Sequence, residues 1–383
     1  MTKQWKALWN NWKPALVLGG FLALVLLVLW NAQAFSQLAL TLSNAYFVPT
    51  QTTDSVVIIS IDDKSLAEHG RTPAEWSRTL FGDLAEIVAE DGARVLAFDL
   101  IFSESTSDDD AFAESLLVAR QSDARTRIIL STAGVQVPTN TLVTEGYPNG
   151  LHYSASLQPN ETLKRVADYV GFVNAFPDVD SRLRRQPSII ESDDEIGYSF
   201  NLAVFFAHRR IPASAVEQIV RTDESQLYLS DDLALPVDDQ GLWLQNYFGT
   251  PYNPGTNGIF PVLSFYDVIE GNFDSDLLAD KIVLVGLIDS LGATDQYLVP
   301  SSTSGALMSG VEIQANAIET LLSGNPLIAQ SAFSQMMMIT ILTIFSSLLF
   351  NKPRWYWKLL LLFVTLLLFY IGAFFIVYCW FRN

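Results

Sequence analysis

The chain has 383 residues, half of them hydrophobic, and a formal charge of −18 at pH 7. All 41 acidic residues lie between Asp54 and Glu319, where 16 Lys and Arg leave a net charge of −25, while the flanks carry +7 and no carboxylate. So anionic a body repels nucleic acid and anionic headgroups, and a single cysteine, Cys379, excludes a disulfide-stapled fold.

The apolar run over residues 15–34 is long enough to cross a bilayer, since about 20 helical residues match a hydrocarbon core about 30 Å thick. It is too long for a signal peptide, and no small-residue cleavage site follows it. Lys3, Lys6 and Lys13 precede it and assign residues 1–14 to the cytoplasm. The acidic body, residues 35–325 with a core over 55–322, is then expected outside the cytoplasm.

Within the body, residues 56–61 read as a buried strand and 76–89 as a helix with Leu80, Leu84, Ile87 and Val88 on one face. Gly92 stops that helix before a second strand at 95–98. Strand, helix and strand in succession require a crossover, and continuous apolar strands point to a parallel sheet covered on both faces. Residues 110–119 and 198–207 read as helical, 128–131 and 171–174 as extended, and 241–247 as a half-buried strand. Turn formers place loops at 146–150, 231–240 and 250–258. A third buried strand, 282–286, is expected beside the first two.

A helix over 312–322 leads through Gly324 and Pro326 into a second span, 332–350, whose Gln335, Thr340, Thr343, Ser346 and Ser347 suit helix-to-helix hydrogen bonds. Lys352, Arg354 and Lys358 mark a cytoplasmic turn at 351–356, and a third span covers 357–380. Trp5, Trp9, Trp12, Trp30, Trp355, Trp357 and Trp380 fall at interfacial depth. Three crossings that start inside finish outside, at residues 381–383. The expectation is that a further span and an effector follow, or that the protein works through partners in the membrane. The expected fold is a mixed α/β extracytoplasmic domain, with a mainly parallel sheet and helices on both faces, plus transmembrane helices.

Ligands of open α/β sheets bind beyond the carboxyl ends of the strands. Those ends carry Asp62 and Asp63, Asp99, Glu104, and Asp289. Converging carboxylates hold raised pKa values or recognise a cation; the competing reading is that Asp63, Ser65 and Asp108 cap helices. A strand, turn and strand around Asn174, Asp178, Asp180, Arg182, Arg184 and Arg185 brings arginines to the same crevice, or builds a salt-bridge network of its own. The stretch Gly286 to Asp295 lets backbone approach a neighbour closely. The candidate ligand-binding residues are therefore Asp62, Asp63, Asp99, Glu104, Asn174, Arg184, Asp289 and Asp295. His69, His152 and His208 are scattered, and there is no phosphate loop, His-Glu-x-x-His or Gly-x-Ser-x-Gly. No catalytic or metal site and no cofactor is assigned.

Six blocks in order carry a resemblance: residues 57–66, ending Ile61-Asp62-Asp63-Lys64-Ser65-Leu66; Trp76-Ser77-Arg78; residues 92–104, containing Ala97-Phe98-Asp99; Gly171-Phe172-Val173-Asn174 with Pro177-Asp178-Val179-Asp180 and Arg184-Arg185; Lys281 to Gly286; and Gly310-Val311-Glu312-Ile313-Gln314-Ala315-Asn316. Together, over about residues 55–322, they resemble the extracytoplasmic CHASE sensor domain of the second class. The resemblance implies a bacterial inner-membrane receptor with one span before the sensor, typically three after it, and a cytoplasmic cyclase or kinase. This chain stops after the second of those later spans. It has Gln314 where the family often has histidine, Ala74-Glu75 in place of Trp-Pro, and Leu287-Ile288 in place of Ala-Thr. The expected function is a sensory input module that is not itself an enzyme. Its expected partners are an unknown small ligand or a periplasmic protein, the lipid bilayer, and a second copy or larger membrane assembly, without nucleic acid. The alternative is an assembly subunit of a cell-envelope complex.

Overall fold

The computed structural model describes residues 3–349 except 48, 71, 136–138, 142–149, 193–195, 223–224, 231–232, 255–257, 275, 289–294, 303–304, 325 and 330. The chain divides into a body, residues 47–328, and a second unit made from its two ends.

Six parallel strands form the centre of the body: β1 (Val56–Ile61), β2 (Val95–Phe98), β3 (Arg127–Val135), β4 (Tyr169–Phe172), β5 (Val262–Ser264) and β6 (Ile282–Leu287). Their spatial order is β5-β1-β6-β2-β3-β4, and residues 155–157 add an antiparallel strand on the far end of β3. The third apolar run does insert beside the first two, pairing Val56 with Ile282 on one side and Ile282 with Val95 on the other. β1 is buried at all six positions because helices cover both faces.

Alternation along the strands sorts their side chains into two cores. Val57, Ile59, Leu96, Phe98, Ile128, Val283 and Val285 pack with α3 (Arg78–Glu90), α4 (Asp109–Gln121) and α6 (Phe265–Ile269). α2 (Asp63–His69) adds Leu66 to that side, and α5 is Phe200–His208. Val56, Ile58, Val95, Ala97, Ile129 and Leu284 pack instead with α5 and with α7 (Gly310–Leu322). α7 is buried from Val311 to Leu321, and Gly286 on β6 is what lets it lie so close: a Cβ there would stand 2.7 Å from the Val311 Cβ.

Local departures from the expected elements have identifiable causes. The helix expected from residue 76 begins at Arg78, because Trp76 closes a 3-10 turn and donates its indole N–H to Gly70 O (2.7 Å), while Ser77 caps the helix. The strand expected over 241–247 is confined to Leu242–Leu244, paired with Arg185–Pro187. Within the loop expected at 231–240, Ala234–Pro236 pairs with Gln226–Tyr228 and buries Leu235 completely. Asp108 accepts from Ser77 Oγ (2.6 Å) instead of capping α4.

In the second unit, α1 (Lys3–Asn31) contains the one described helix long and apolar enough to cross a membrane, Trp12–Asn31, with a mean hydropathy of 2.2. α8 (Ala332–Leu349) carries a shorter apolar stretch, Ala332–Leu348. The two helices run antiparallel: Trp30 Nε1 donates to Gln335 Oε1 (3.1 Å) near one end, and Ser347 Oγ donates to Ala15 O near the other. Gly19 permits this crossing, since a Cβ there would lie 2.9 Å from the Ser347 Cβ. The expected third span and Cys379 lie outside the described residues.

Candidate functional site

At the carboxyl end of β2 the chain turns out of the sheet at Asp99, whose N–H donates to Val285 O on β6 (2.8 Å). A narrow cleft opens there, lined by the acids Asp99 and Asp295, by Tyr297, and by the buried amides Gln186 and Gln314, over an apolar floor that includes Leu183 and Ile313. About 10 Å³ of it admits the centre of a water molecule, room for roughly one water. Anything larger requires the walls to part.

Asp295 reaches the cleft through a short hairpin in which β7 (Gln296–Tyr297) pairs with β8 (Met308–Ser309). Its carbonyl accepts from Gly310 N–H (3.0 Å), and a Cβ on Gly310 would meet the Asp295 carboxylate at 1.8 Å. The residue is exposed, yet its carboxylate lies against the first residue of α7 and towards the Tyr297 hydroxyl. α7 starts there because Glu312 reaches back to Ser309, accepting from its N–H (3.2 Å) and its hydroxyl (2.9 Å).

Burial among apolar walls, reinforced by the negative charge of Asp295, pushes the Asp99 carboxyl up to about 8. Asp295 is also raised by burial, against an opposing hydrogen bond from Tyr297. Burial and Asp295 together raise the Tyr297 phenol. At neutral pH the pair holds a proton that two ordinary surface carboxylates would release.

The opposite wall is a chain of neutral groups. Ser199 Oγ donates to Asn201 Oδ1 (2.8 Å), and Asn201 Nδ2 donates to Gln314 Oε1 (3.1 Å) and Gln186 Oε1 (3.4 Å). With both amide oxygens turned to Asn201, the two amide N–H2 groups are left as donors for whatever enters the cleft. α5, α7 and residues 185–187 thus meet at one cluster.

Of the eight candidate residues, the structure brings Asp99 and Asp295 together. Asp62 is committed elsewhere: its Oδ1 caps α2, accepting from Ser65 N–H (2.9 Å), Ser65 Oγ (2.7 Å) and Ser264 Oγ (3.1 Å). Asp63, the first residue of α2, and Glu104 are exposed and do not line the cleft. Asn174 pins the edge of β3, accepting from Gly134 N–H (2.8 Å) and donating to Gly134 O (2.9 Å). Arg184 is buried against the carboxylates of its own turn, Asp178 (2.8 Å) and Asp180 (2.7 Å), and does not line the cleft. Asp289 lies outside the described residues. Sequence reasoning missed Tyr297, Gln186 and Gln314 as lining residues; the spacing of Asp295 and Tyr297, two apart on an extended segment, was the available signal for the first.

A family model, the CHASE2 domain, matches residues 19–369. The chain belongs to the CHASE2 family. CHASE2 domains are sensory extracellular domains of signal-transduction proteins, so the fold is that of an input domain and the cleft lies within it. No curated protein and no solved structure matches this CHASE2 chain. The six blocks that carried the resemblance map onto β1, the start of α3, β2, β4 with the turn after it, β6 and α7, the elements that build the sheet and the cleft.

Proposed function

We propose that this CHASE2 chain is the membrane-anchored, extracytoplasmic input module of a bacterial inner-membrane receptor. It is not itself an enzyme, and it couples occupancy of the Asp99–Asp295 cleft to movement of a transmembrane helix. The observation that carries the reading is the double duty of α7. Its first turn, through Gly310, Ile313 and Gln314, is a wall of the cleft, and its last residue, Leu322, is followed after nine residues by α8. A ligand that parts walls with room for one water must displace α7 relative to β2, and the differential affinity for the parted arrangement is the signal. The antiparallel pairing of α1 with α8 supports anchoring by two spans of opposite direction.

The test uses the full chain in native membranes, with Cys379→Ser and a reporter cysteine at the exposed Phe333 on α8. The rate of disulfide formation between copies is compared for wild type, Asp99→Asn and Asp295→Asn. Replacing either acid removes the proton that the pair shares, alters the packing of the cleft and changes that rate; identical rates in all three chains would sever the cleft from the helix.

A further inference from the structure

A second cluster lies at the opposite edge of the same sheet, where local charge runs against the composition of the body. The amino ends of the central strands are joined in one row: Ile282 N–H donates to Ser55 O (2.8 Å), Arg94 N–H to Lys281 O (2.9 Å) and Arg127 N–H to Arg94 O (3.1 Å). Neighbouring strands are about 4.8 Å apart, so Lys281, Arg94 and Arg127 begin within roughly 10 Å of one another. Arg210 joins them from the turn after α5, donating to the Ala124 carbonyl (2.7 Å) and to that of Arg125. Burial, together with the like charges of Arg94 and Arg127, holds its guanidinium below the usual arginine range. Arg209 beside it is exposed, stacked over Phe205 at 5.4 Å.

Between the end of α4 and the start of β3 these residues border a groove of about 320 Å³, lined by Leu117, Arg120, Gln121, Arg125, Thr126 and Arg127. That volume falls in the range of pockets that take small ligands, roughly 300–1,000 Å³. The buried Asp168 carboxylate fixes two of the guanidiniums, accepting from Arg120 Nη2 (3.0 Å) and Arg127 Nη1 (2.7 Å), while Asp280 accepts from Arg94 (3.0 Å). Nε and Nη2 of Arg127 and the whole exposed guanidinium of Arg125 have no partner among the described residues. At the groove itself Arg120, Arg125 and Arg127 face the Asp168 carboxylate, a local excess of positive charge in a body of net −25. The carboxyl end of α4 opposes an anion with a partial charge of about −0.5, too little to cancel three guanidiniums.

The segment before β1 is tied to α7 near the amino end of that strand. Ser55 precedes β1 directly, and Thr53 donates through its N–H and its hydroxyl (3.0 Å to Oε2) to the buried Glu319 in the last turn of α7. Thr53 and Glu319 thus tie the segment before β1 to the last turn of α7.

We propose that the Arg120–Arg125–Arg127 groove is a binding site for a phosphate ester, supplied by the headgroup of an anionic phospholipid. Planar guanidinium forks match phosphate oxygens in pairs, and two of the three are already oriented by Asp168. The source of the phosphate rests on the membrane-anchored reading; the anion chemistry of the groove does not.

The experiment uses the full chain in detergent, with lipid retention read by native mass spectrometry. Mixed micelles contain phosphatidylglycerol or phosphatidylcholine, and inorganic phosphate serves as a soluble competitor. Phosphatidylglycerol is retained in preference, phosphate displaces it, and Arg125→Gln lowers retention by about fivefold. Arg125 makes no side-chain bond among the described residues, so this variant keeps the fold; Arg209→Gln, outside the groove lining, is the control and changes retention less. Equal retention of the two lipids, or no effect of Arg125→Gln, overturns the proposal. Phosphate binding without lipid preference overturns the lipid as source and leaves a soluble phosphate ester. Because retention is measured in micelles, failure of the receptor reading in cells would not change it, and the two proposals fail separately.

Discussion

Asp99 is the residue whose chemistry differs most from what its type dictates in water. Its pKa stands near 8 in the folded chain, against about 3.9 for an unfolded aspartate, so over that interval the folded state binds more protons than the unfolded one. Stability therefore falls as pH rises through the window, and the cost is complete above pH 8. Asp99→Asn has no such cost. We expect its thermal stability to match wild type near pH 4.5 and to exceed it at pH 8.5 by on the order of 2 kcal/mol, the full linkage value being reduced by the solvent that Asp99 still touches. A constant difference between the variant and wild type across that range would mean that Asp99 ionises normally. The same residue shows how much of a site can be read from a sequence. Strand-end position marked Asp99 and Asp62 alike, and they differ through a remote neighbour: Ser264, some 200 positions away, joins Ser65 in satisfying Asp62, whereas Asp99 faces a second acid and apolar walls. Spacing along the chain contains no term for such partners.

At the scale of elements, the cleft exists because α7 lies unusually close to the sheet. Gly286→Ala places a methyl 2.7 Å from the Val311 Cβ, and overpacking of this kind costs about 1–3 kcal/mol. Val311→Ala in the same chain keeps the Cβ but removes the two Cγ atoms that stand 3.0 and 3.2 Å from that methyl, so the double variant should recover part of the loss, a coupling that thermal unfolding of the four chains in a double-mutant cycle measures. Additive losses would show that α7 does not rest on Gly286. β1, β2 and β6 were legible because a parallel strand covered on both faces is nearly continuously apolar, and these runs are short, rich in β-branched residues and flanked by turn formers. Ala234–Pro236 was not legible: turn formers surround it, and only the burial of Leu235 beneath a neighbouring strand makes it a strand. Glycine before Asp289 did signal a close approach, although the partner is the first turn of α7 and not a ligand.

For the whole molecule, the proposed anchoring sets a physical problem, to keep 41 carboxylates in water while apolar chain ends enter a bilayer. α1 exposes Val17, Phe21, Leu24 and Val28, a surface that only lipid or another apolar helix solvates well, and α8 exposes Phe333, Ile341 and Phe345. A hydrogen bond near each end holds the pair antiparallel, and in hydrocarbon the interhelical bonds and the Gly19 contact replace the hydrophobic effect as the source of association. On the membrane-anchored reading proposed above, Lys3, Lys6 and Lys13 stay on the cytoplasmic side, the antiparallel pair returns the chain to that side, and the body is outside. Exterior thiol labelling of intact cells tests this arrangement. In a Cys379→Ser background, a cysteine at the exposed Thr250 should react with an impermeant maleimide, and a cysteine replacing Lys3 should react only after the membrane is opened. Labelling at position 3 with none at 250 would put the acidic body in the cytoplasm; labelling at both would mean that α1 does not cross.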